Sequence, residues 1–189
     1  MGEEITAVDT KGGVERVFRE MLAQINNPKV LELGTRQWIL GRPTHHGSWL
    51  SAGSTHVKSD ITSGEDVDVV ADAHDLSPFG DGEFDAVIAI SVWEHLRKPW
   101  IAAEAARRVL KNGGLIYVAT HHSFPVHGYP SDYCRWTDEG LKALFDEPEW
   151  RDAKASFSYP CSIIPPKEVK AWNSAAKAFL NVDVVAIKA

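Results

Sequence analysis

The stretch from residue 66 to residue 96 constrains the fold more than any other part of the sequence. It contains two short apolar runs, at residues 67–71 and 84–90, which are rich in β-branched residues and bounded by turn-forming residues. Such runs predict β-strands. Because neither run alternates cleanly between apolar and polar residues, we expect both strands to be buried on two faces, as in a parallel sheet covered by helices.

Polar side chains follow each of these predicted strands. They are Asp72, His74 and Asp75 after the first strand, and Ser91, Glu94 and His95 after the second. In an open α/β sheet, ligands bind in the crevice beyond the carboxyl ends of the strands. These residues therefore lie where a ligand site is expected.

The rest of the sequence predicts a polar lead-in at residues 1–13 and a linker at 160–166. It also predicts further strands and helices. Apolar residues at helical spacing, proline near helix starts and glycine after helix ends give the helices, and β-branched runs give the strands. The predicted helices are 14–25, a short one at 46–52, 99–110, 137–145 and 167–179. The predicted strands are 29–33, 55–59, 67–71, 84–90, 115–120, 150–159 and 182–189.

Composition excludes several classes of protein. A chain of 189 residues with 44% hydrophobic residues suits a single domain, 1–189, with a sizeable core. Its net charge of −6 argues against a nucleic-acid-binding protein. No apolar run approaches the roughly 18–20 residues that span a bilayer, so we expect no membrane partner. Cys134 and Cys161 lack metal-ligand spacing and no signal-peptide pattern is visible, so we expect a reduced, cytoplasmic protein.

Several segments together resemble the class I S-adenosylmethionine-dependent methyltransferases, and most closely the small "methyltransferase domain 11" type. The segments are DAHDL at 72–76, EFDAV at 83–87, WEHL at 93–96, RVLKNGG at 108–114, the strand 115–120 and HGYPSDYCRWT at 127–137. The resemblance spans roughly residues 29–144. It implies a Rossmann-like α/β fold, with a seven-stranded, mostly parallel sheet, an antiparallel last strand and helices on both faces.

The resemblance also implies a set of residues that bind S-adenosylmethionine. An acid and a glycine-rich turn after the first strand approach the methionine portion, an acid after the second strand binds the ribose hydroxyls, and an acid with the next amide meets the adenine. The matching residues here are Glu32, Gly34, Thr35, Asp60, Ile61, Asp72, Ala73 and Ser91.

Simpler interpretations of the same residues stay open. Gly34 can be an ordinary strand-ending turn, and Asp60 and Asp72 can cap turns. The sequence also departs from the family pattern, because residues 35–38, Thr-Arg-Gln-Trp, replace the further glycines of the cofactor turn. A turn of this composition can bind the cofactor in a differently shaped loop, or it can mark a relative that has lost binding.

Histidines at predicted strand ends are the candidate catalytic bases, because imidazole titrates near neutrality. They are His95, His121 and His122. The long polar and aromatic loop at residues 121–136 predicts a lid over the acceptor. Its candidate substrate-orienting residues are His127, Tyr129, Asp132, Tyr133 and Arg135. A metal site made by His121, His122 and His127 is an alternative, but their spacing fits no compact zinc motif, so we expect no metal.

We therefore expect methyl transfer from S-adenosylmethionine to a small-molecule acceptor. The alternative is a non-catalytic binding or partner protein on the same fold, suggested by the missing glycines after Gly34. A nicotinamide dehydrogenase is disfavoured because no G-x-G-x-x-G follows the first strand. The sequence does not identify the acceptor or the methylated atom. A homo-oligomer stays open, since seven tryptophans allow an aromatic interface patch.

Overall fold

The computed structural model describes residues 13–128, 130–164, 166–168 and 176–189. The helices are α1 (Gly13–Leu22), α2 (Pro99–Val109) and α3 (Asp138–Lys142), with one-turn 3₁₀ helices at Gly47–Trp49 and Trp93–His95. The strands are β1 (Lys29–Leu33), β2 (Thr55–Asp60), β3 (Val69–Val70), β4 (Phe84–Ile90), β5 (Leu110–His121), β6 (Trp150–Ile163) and β7 (Ala176–Lys188).

The seven strands form one sheet in the order β3-β2-β1-β4-β5-β7-β6. Strands β1 to β5 pair in parallel, and β7 lies antiparallel between β5 and β6. This arrangement confirms the predicted seven-stranded, mostly parallel sheet with an antiparallel last strand. Because β1 to β4 run the same way, their carboxyl ends all meet at one edge of the sheet.

Helices cover both faces of the sheet, as predicted. Helix α1 places Val14, Phe18 and Leu22 against one face, where they pack with side chains of β1, β4, β5 and β7. Helix α2 packs its alanines and Val109 on the opposite face, together with Leu141 of α3. Alanines predominate on the buried side of α2, which allows a close approach of helix and sheet.

The connection from β1 to β2 departs from an ordinary α/β crossover. Residues 34–54 contain a single turn of 3₁₀ helix at Gly47–Trp49, where the sequence predicted a short helix at 46–52. The glycines and Pro43 in this segment disfavour a longer helix. Trp49 instead packs on Phe18 and Tyr117, at ring-centroid distances of 6.3 and 5.7 Å, and fills the space beside α1.

Several predicted boundaries were wrong. Strand β3 has two residues rather than five, and β5 begins at Leu110, because Leu110 pairs with Phe84 before an irregularity restores the register at Leu115. The predicted linker at 160–166 was wrong over Pro160–Ile163, since those residues belong to β6 and pair with β7. The helix predicted at 167–179 was wrong at 176–179, which belong to β7; residues 169–175 lie outside the described residues.

The predicted start of α3 is confirmed. The Thr137 side chain accepts a hydrogen bond from the Gly140 amide at 3.0 Å, as an N-cap does. Among the described helices, none has the length and apolar character needed to cross a bilayer.

Candidate active site

The chain leaves β1 through a tight turn at Gly34. Its φ is +78°, a conformation that side chains with a Cβ rarely adopt, and its amide donates to the Ser59 carbonyl at 2.8 Å. A Cβ at this position would lie 2.5 Å from Cγ2 of Val92. The turn after β1 and the segment after β4 are therefore in close contact, and only glycine fits between them.

Glu32 lies at the end of β1 but is held by two histidines. Its carboxylate accepts from the His46 amide at 2.9–3.0 Å, and its oxygens lie 2.7 Å from His46 Nδ1 and 2.8 Å from His56 Nε2. Burial raises the pKa of Glu32, but the hydrogen bonds from His46 and His56 outweigh it and lower the pKa to about 2. Glu32 is thus an ionised anchor for the 34–54 segment.

Thr35 and its neighbours tie the glycine-poor turn to the loop after β2. The buried Thr35 hydroxyl lies 2.7 Å from the Asp66 carbonyl and 3.3 Å from the Ser59 carbonyl. The Gln37 side chain donates to Asp66, and the Arg36 guanidinium lies 4.7 Å from the Trp38 ring centre. Hydrogen bonds from side chains therefore hold this turn where the sequence lacks the expected glycines.

Asp60 ends β2 at the same edge of the sheet. It is half-buried, and its Oδ1 accepts from the Thr62 amide at 3.0 Å while its Oδ2 lies 3.4 Å from the Arg36 amide. A carboxylate can accept about four hydrogen bonds, so Asp60 has acceptor capacity for ligand hydroxyls. Ile61 beside it is 57% exposed and offers apolar surface.

Asp72 and Ala73 follow β3. Asp72 Oδ1 accepts from the His74 amide at 2.8 Å and lies 2.6 Å from His74 Nδ1. Burial alone raises the pKa of Asp72. The hydrogen bonds from His74 lower it by a larger amount, so the pKa of Asp72 is below its ordinary value. Asp72 therefore does cap a local turn, while its side chain stays about half exposed.

Ser91 follows β4 in a left-handed backbone conformation, with φ of +54°. Its amide donates to the Ala119 carbonyl at 2.9 Å, and its side chain is exposed. Non-glycine residues in this conformation cluster at ligand sites. Gly34, Asp60, Asp72 and Ser91 thus line one edge of the sheet, at the ends of four parallel strands.

A buried carboxylate and a histidine meet at the ends of β4 and β5. Glu94 is fully buried; its Oε2 accepts from the Thr120 hydroxyl at 2.7 Å and its Oε1 lies 3.0 Å from His121 Nε2. Burial raises the pKa of Glu94, but His121 and Thr120 outweigh it and lower the pKa. Burial lowers the pKa of His121, and contact with Glu94 reverses this and raises it.

Two further histidines surround this pair. His95 Nε2 lies 3.8 Å from Glu94 Oε1, and its Nδ1 lies 2.6 Å from the Ser131 carbonyl. The His127 ring centre lies 5.0 Å from that of His95 and 5.2 Å from that of His121. His122 lies elsewhere, with its Nδ1 2.7 Å from the Trp136 carbonyl and its ring against Phe157 of β6.

The loop at residues 122–136, which the sequence predicts to be a lid, is hydrogen-bonded to the residues around the Glu94–His121 pair, and His121 itself belongs to β5. Amides of Tyr133 and Cys134 donate to the Glu94 carbonyl at 2.8 and 3.2 Å, and the Trp136 amide donates to the His121 carbonyl at 3.0 Å. The Tyr133 side chain is 53% exposed. Tyr129 lies outside the described residues.

Asp132 and Arg135 stabilise the lid from within. The Arg135 guanidinium binds both oxygens of Asp132, at 2.5 and 2.6 Å, and also donates to the carbonyls of Phe124 and Pro125. Arg135 holds the pKa of the Asp132 carboxyl well below its usual range. Asp132 also accepts from the His127 amide at 2.8 Å, so this ion pair positions His127.

A cavity of about 320 Å³ lies on the α1 face of the sheet and extends to Asn181, the neighbour of His121. Side chains alternate along a strand, so Tyr117, Ala119 and His121 of β5 share this face. The cavity wall includes Tyr117, Asp183 and Asn181, and Asn181 Oδ1 lies 3.0 Å from His121 Nδ1. Burial raises the pKa of Asp183 to about 7, so this carboxyl is partly protonated near neutral pH.

Thr120, Asn181 and Asp183 were not predicted as site residues from the sequence. Asn181 is 60 residues from His121 in the sequence but is its register partner across β5 and β7. Only the pairing of the last strand brings these residues together. Glu94 was noted as following a strand, but its burial against His121 was not predicted.

Comparison with known proteins agrees with the fold. A model of the methyltransferase domain family matches residues 50–118. A search of curated proteins found no match.

Solved structures resemble the chain over nearly its whole length. A chain of the Haloferax volcanii complex between the Trm112 methyltransferase activator and the putative methyltransferase has a TM-score of 0.61 at 18% identity, covering 93% of this chain and 88% of that one. A SAM-dependent methyltransferase from Archaeoglobus fulgidus gives 0.62 at 16%, covering 92% and 94%.

A third structure is Burkholderia thailandensis 1,6-didemethyltoxoflavin-N1-methyltransferase, with 1,6-didemethyltoxoflavin and S-adenosylhomocysteine bound. Its TM-score is 0.60 at 14% identity, covering 95% of this chain and 80% of that one. The resemblance seen in the sequence is confirmed: the chain has the fold of the class I S-adenosylmethionine-dependent methyltransferases, and its residues 50–118 match their methyltransferase domain.

Proposed function

We propose that this protein transfers a methyl group from S-adenosylmethionine to a small-molecule acceptor. One observation carries the proposal: a cavity of about 320 Å³ is lined by Ile90, at the carboxyl end of β4, and by Asn181, which contacts His121 of the buried Glu94–His121 pair. A cavity of this size is typical of a small-molecule site. Cofactor and acceptor would then meet at the edge of the sheet between these two regions.

The residues at the strand ends fit the chemistry of the cofactor. Asp60 retains acceptor capacity for the two ribose hydroxyls, and Asp72 with the Ala73 amide would bind the adenine edge. The Gly34 turn, the Thr35 backbone and Ser91 would border the methionine portion. We assign Glu32 an indirect part, since its carboxylate is already bound by His46 and His56 and fixes the segment that follows Gly34.

The acceptor would occupy this cavity and extend past Asn181 towards His121. His127, Tyr133, Asp132 and Arg135 do not line the cavity and would contact the acceptor at the His121 end, with Tyr129 assigned to the same group by the sequence alone. The bound cofactor supplies an electrophilic methyl group on a good leaving group, so the protein mainly has to align the acceptor with it. Alignment of this kind contributes about 7–11 kcal/mol of barrier lowering.

Removal of a proton from the acceptor is assigned to the histidines beside Glu94. His121 and His95 lie 3.0 and 3.8 Å from that carboxylate, which would stabilise either ring once it is protonated. His122 contacts Phe157 and the Trp136 carbonyl instead, and its catalytic role stays a prediction.

Isothermal titration with S-adenosylmethionine and S-adenosylhomocysteine tests the cofactor assignment. We expect micromolar binding, about tenfold weaker in each of Asp60→Ala and Asp72→Ala, since each removes a hydrogen bond to the ligand. Asp75→Ala is the matched control, because Asp75 is an exposed carboxylate next to the same strand end and caps Ser77. Absence of binding by the folded wild-type protein would overturn the proposal and favour the non-catalytic alternative.

A further inference from the structure

We propose that Glu94, His121 and His127 bind a divalent transition-metal ion of the zinc class. One ligand atom from each residue lies within 4.8 Å of the other two, and Glu94 and His121 are both buried. Two histidines and one glutamate form a ligand set that zinc uses in catalytic sites, with one further position open to water or substrate. This site goes beyond the methyl transfer proposed above and does not depend on it.

The two oxygens of the Glu94 carboxylate differ in their hydrogen bonding. Its Oε2 accepts from Thr120, but its Oε1 is fully buried and makes no hydrogen bond of good geometry with the described part of the chain. A buried carboxylate oxygen is costly unless a donor or a cation compensates it. A cation placed between Oε1 and the His121 ring would provide that compensation.

The rings of His121 and His127 are oriented by hydrogen-bond acceptors next to their Nδ1 atoms. His121 Nδ1 lies 3.0 Å from Asn181 Oδ1, and His127 Nδ1 lies 3.1 Å from the Pro125 carbonyl and 3.2 Å from Asp132 Oδ2. All three neighbours accept hydrogen bonds, so both Nδ1 atoms carry hydrogen. Nε2 is therefore the nitrogen that each ring can present to a metal, and His121 Nε2 would release to solvent the proton that it shares with Glu94 when the ion binds. An oxygen acceptor behind Nδ1 is usual for histidine ligands of metals.

The distances between the ligand atoms also suit a zinc ion. Ligands at about 2.0–2.1 Å from a tetrahedral zinc ion lie about 3.3 Å from one another. Glu94 Oε1 and His121 Nε2 are already 3.0 Å apart, so only His127 has to approach. Its place on the lid allows that approach, and its anchor is the Asp132–Arg135 pair rather than a strand.

His95 has a separate part in this arrangement. Its Nδ1 is hydrogen-bonded to the Ser131 carbonyl, and its Nε2 lies 3.8 Å from Glu94 Oε1. His95 would therefore be near the coordination position of the ion that the three ligands leave open. If the proposed methyl transfer also holds, the open position would take an oxygen or nitrogen atom of the acceptor, and His95 would be the histidine left to receive its proton.

Metal titration of chelator-treated protein tests the site, with Zn²⁺ followed by calorimetry and Co²⁺ followed by its visible absorption. We expect one equivalent bound, with the absorption of a tetrahedral or five-coordinate cobalt site. His127→Asn should weaken binding about 100-fold or more, because it removes a ligand. Asn181→Ala should weaken it about 10- to 100-fold, since that residue orients His121.

His122→Asn is the matched control, because it changes the adjacent histidine and should keep one equivalent bound. Circular dichroism and thermal unfolding show whether each variant is folded. No stoichiometric metal on the wild-type protein, or equal affinity in wild type and His127→Asn, would overturn the proposal. Failure of S-adenosylmethionine binding in a protein that binds metal would overturn only the methyl transfer.

Discussion

At the scale of single residues, Glu32 shows how a buried charge can organise a loop. His46 of the 34–54 segment, His56 of β2 and the His46 backbone amide all bind its carboxylate. The side chain is 3% exposed, so solvent screens these contacts little. The shape of the glycine-poor segment after β1 therefore depends on the ionisation of one residue.

This dependence predicts an acid-sensitive contribution to stability. The folded pKa of Glu32, about 2, lies below its unfolded value of 4.5, so the contribution is complete above pH 4.5 and disappears as the pH falls towards 2. We expect Glu32→Gln to lower the free energy of unfolding by about 3 kcal/mol at pH 7, with the difference narrowing below pH 4.5. Urea unfolding at several pH values measures it.

Glu65→Gln is the control, because Glu65 is exposed on the neighbouring loop and should change stability by less than about 0.5 kcal/mol. A gap between wild type and Glu32→Gln that stays constant from pH 7 to pH 3 would contradict the ionic explanation.

Residues that depend on local sequence were predicted well, and residues that depend on strand pairing were not. Gly34 and Asp60 could be placed at strand ends because a strand and its following turn are local features. The partnership of His121 with Asn181 could not, since it requires that β7 pair antiparallel with β5 in one register. The burial of Glu94 depends on the lid, whose path is set by long-range hydrogen bonds.

At the scale of elements, the segment between β1 and β2 is held in place by hydrogen bonds, where most α/β crossovers have a helix. Gly34 and Gly41 both have φ near +80°, but their surroundings differ. A Cβ on Gly34 would lie 2.5 Å from Val92 Cγ2, whereas a Cβ on Gly41 would have nothing within 4 Å. Alanine substitutions at the two positions therefore separate the loss of stability that comes from backbone strain from the loss that comes from steric crowding.

We expect Gly41→Ala to cost about 1 kcal/mol of stability, which is the backbone strain alone. Gly34→Ala should cost about 1–3 kcal/mol more, because the segment must also move away from Val92. It should weaken cofactor binding as well, because Gly34 borders the proposed site. Chemical unfolding and titration calorimetry on both variants give the comparison, and equal losses would show that the contact with Val92 is not limiting.

The element boundaries that were wrong have a common physical origin. Leu110 and Pro160–Ile163 are strand residues because a neighbouring strand extends past them, not because of their own propensities. Glycines at 113 and 114 and prolines at 160, 165 and 166 indicate turns when only the local sequence is considered. The observed pairing shows that tertiary context decides at these positions.

At the scale of the whole molecule, the sheet order sets a gradient of stability. Strand β4 has neighbours on both sides and both of its faces are covered, whereas β6 is at an edge of the sheet and, among the described strands, pairs only with β7. Buried strands with two neighbours open mainly by global unfolding, and edges open locally. The gradient should therefore run outward from β4 towards β3 on one side and β6 on the other.

Native-state hydrogen exchange should show this gradient. We expect amides of β1, β4 and β5 to exchange slowest, with opening free energies close to that of global unfolding, and amides of residues 36–54 to exchange fastest. Amides of β6 that pair with β7 should lie in between. Protection in β6 equal to that in β4 would show that the edge is covered by a surface that is not part of the described chain.

The position of β7 has a consequence for the growing polypeptide on the ribosome. Strand β6 is made first, yet its sheet neighbour is β7, which begins 13 residues after β6 ends. At about 5–20 residues per second, completing β7 takes roughly one to five further seconds, during which β6 has no sheet to join. The charged residues at 151, 152 and 154 and the proline at 160 suit a strand that joins the sheet last and stays at its edge, because they discourage pairing of β6 with another chain.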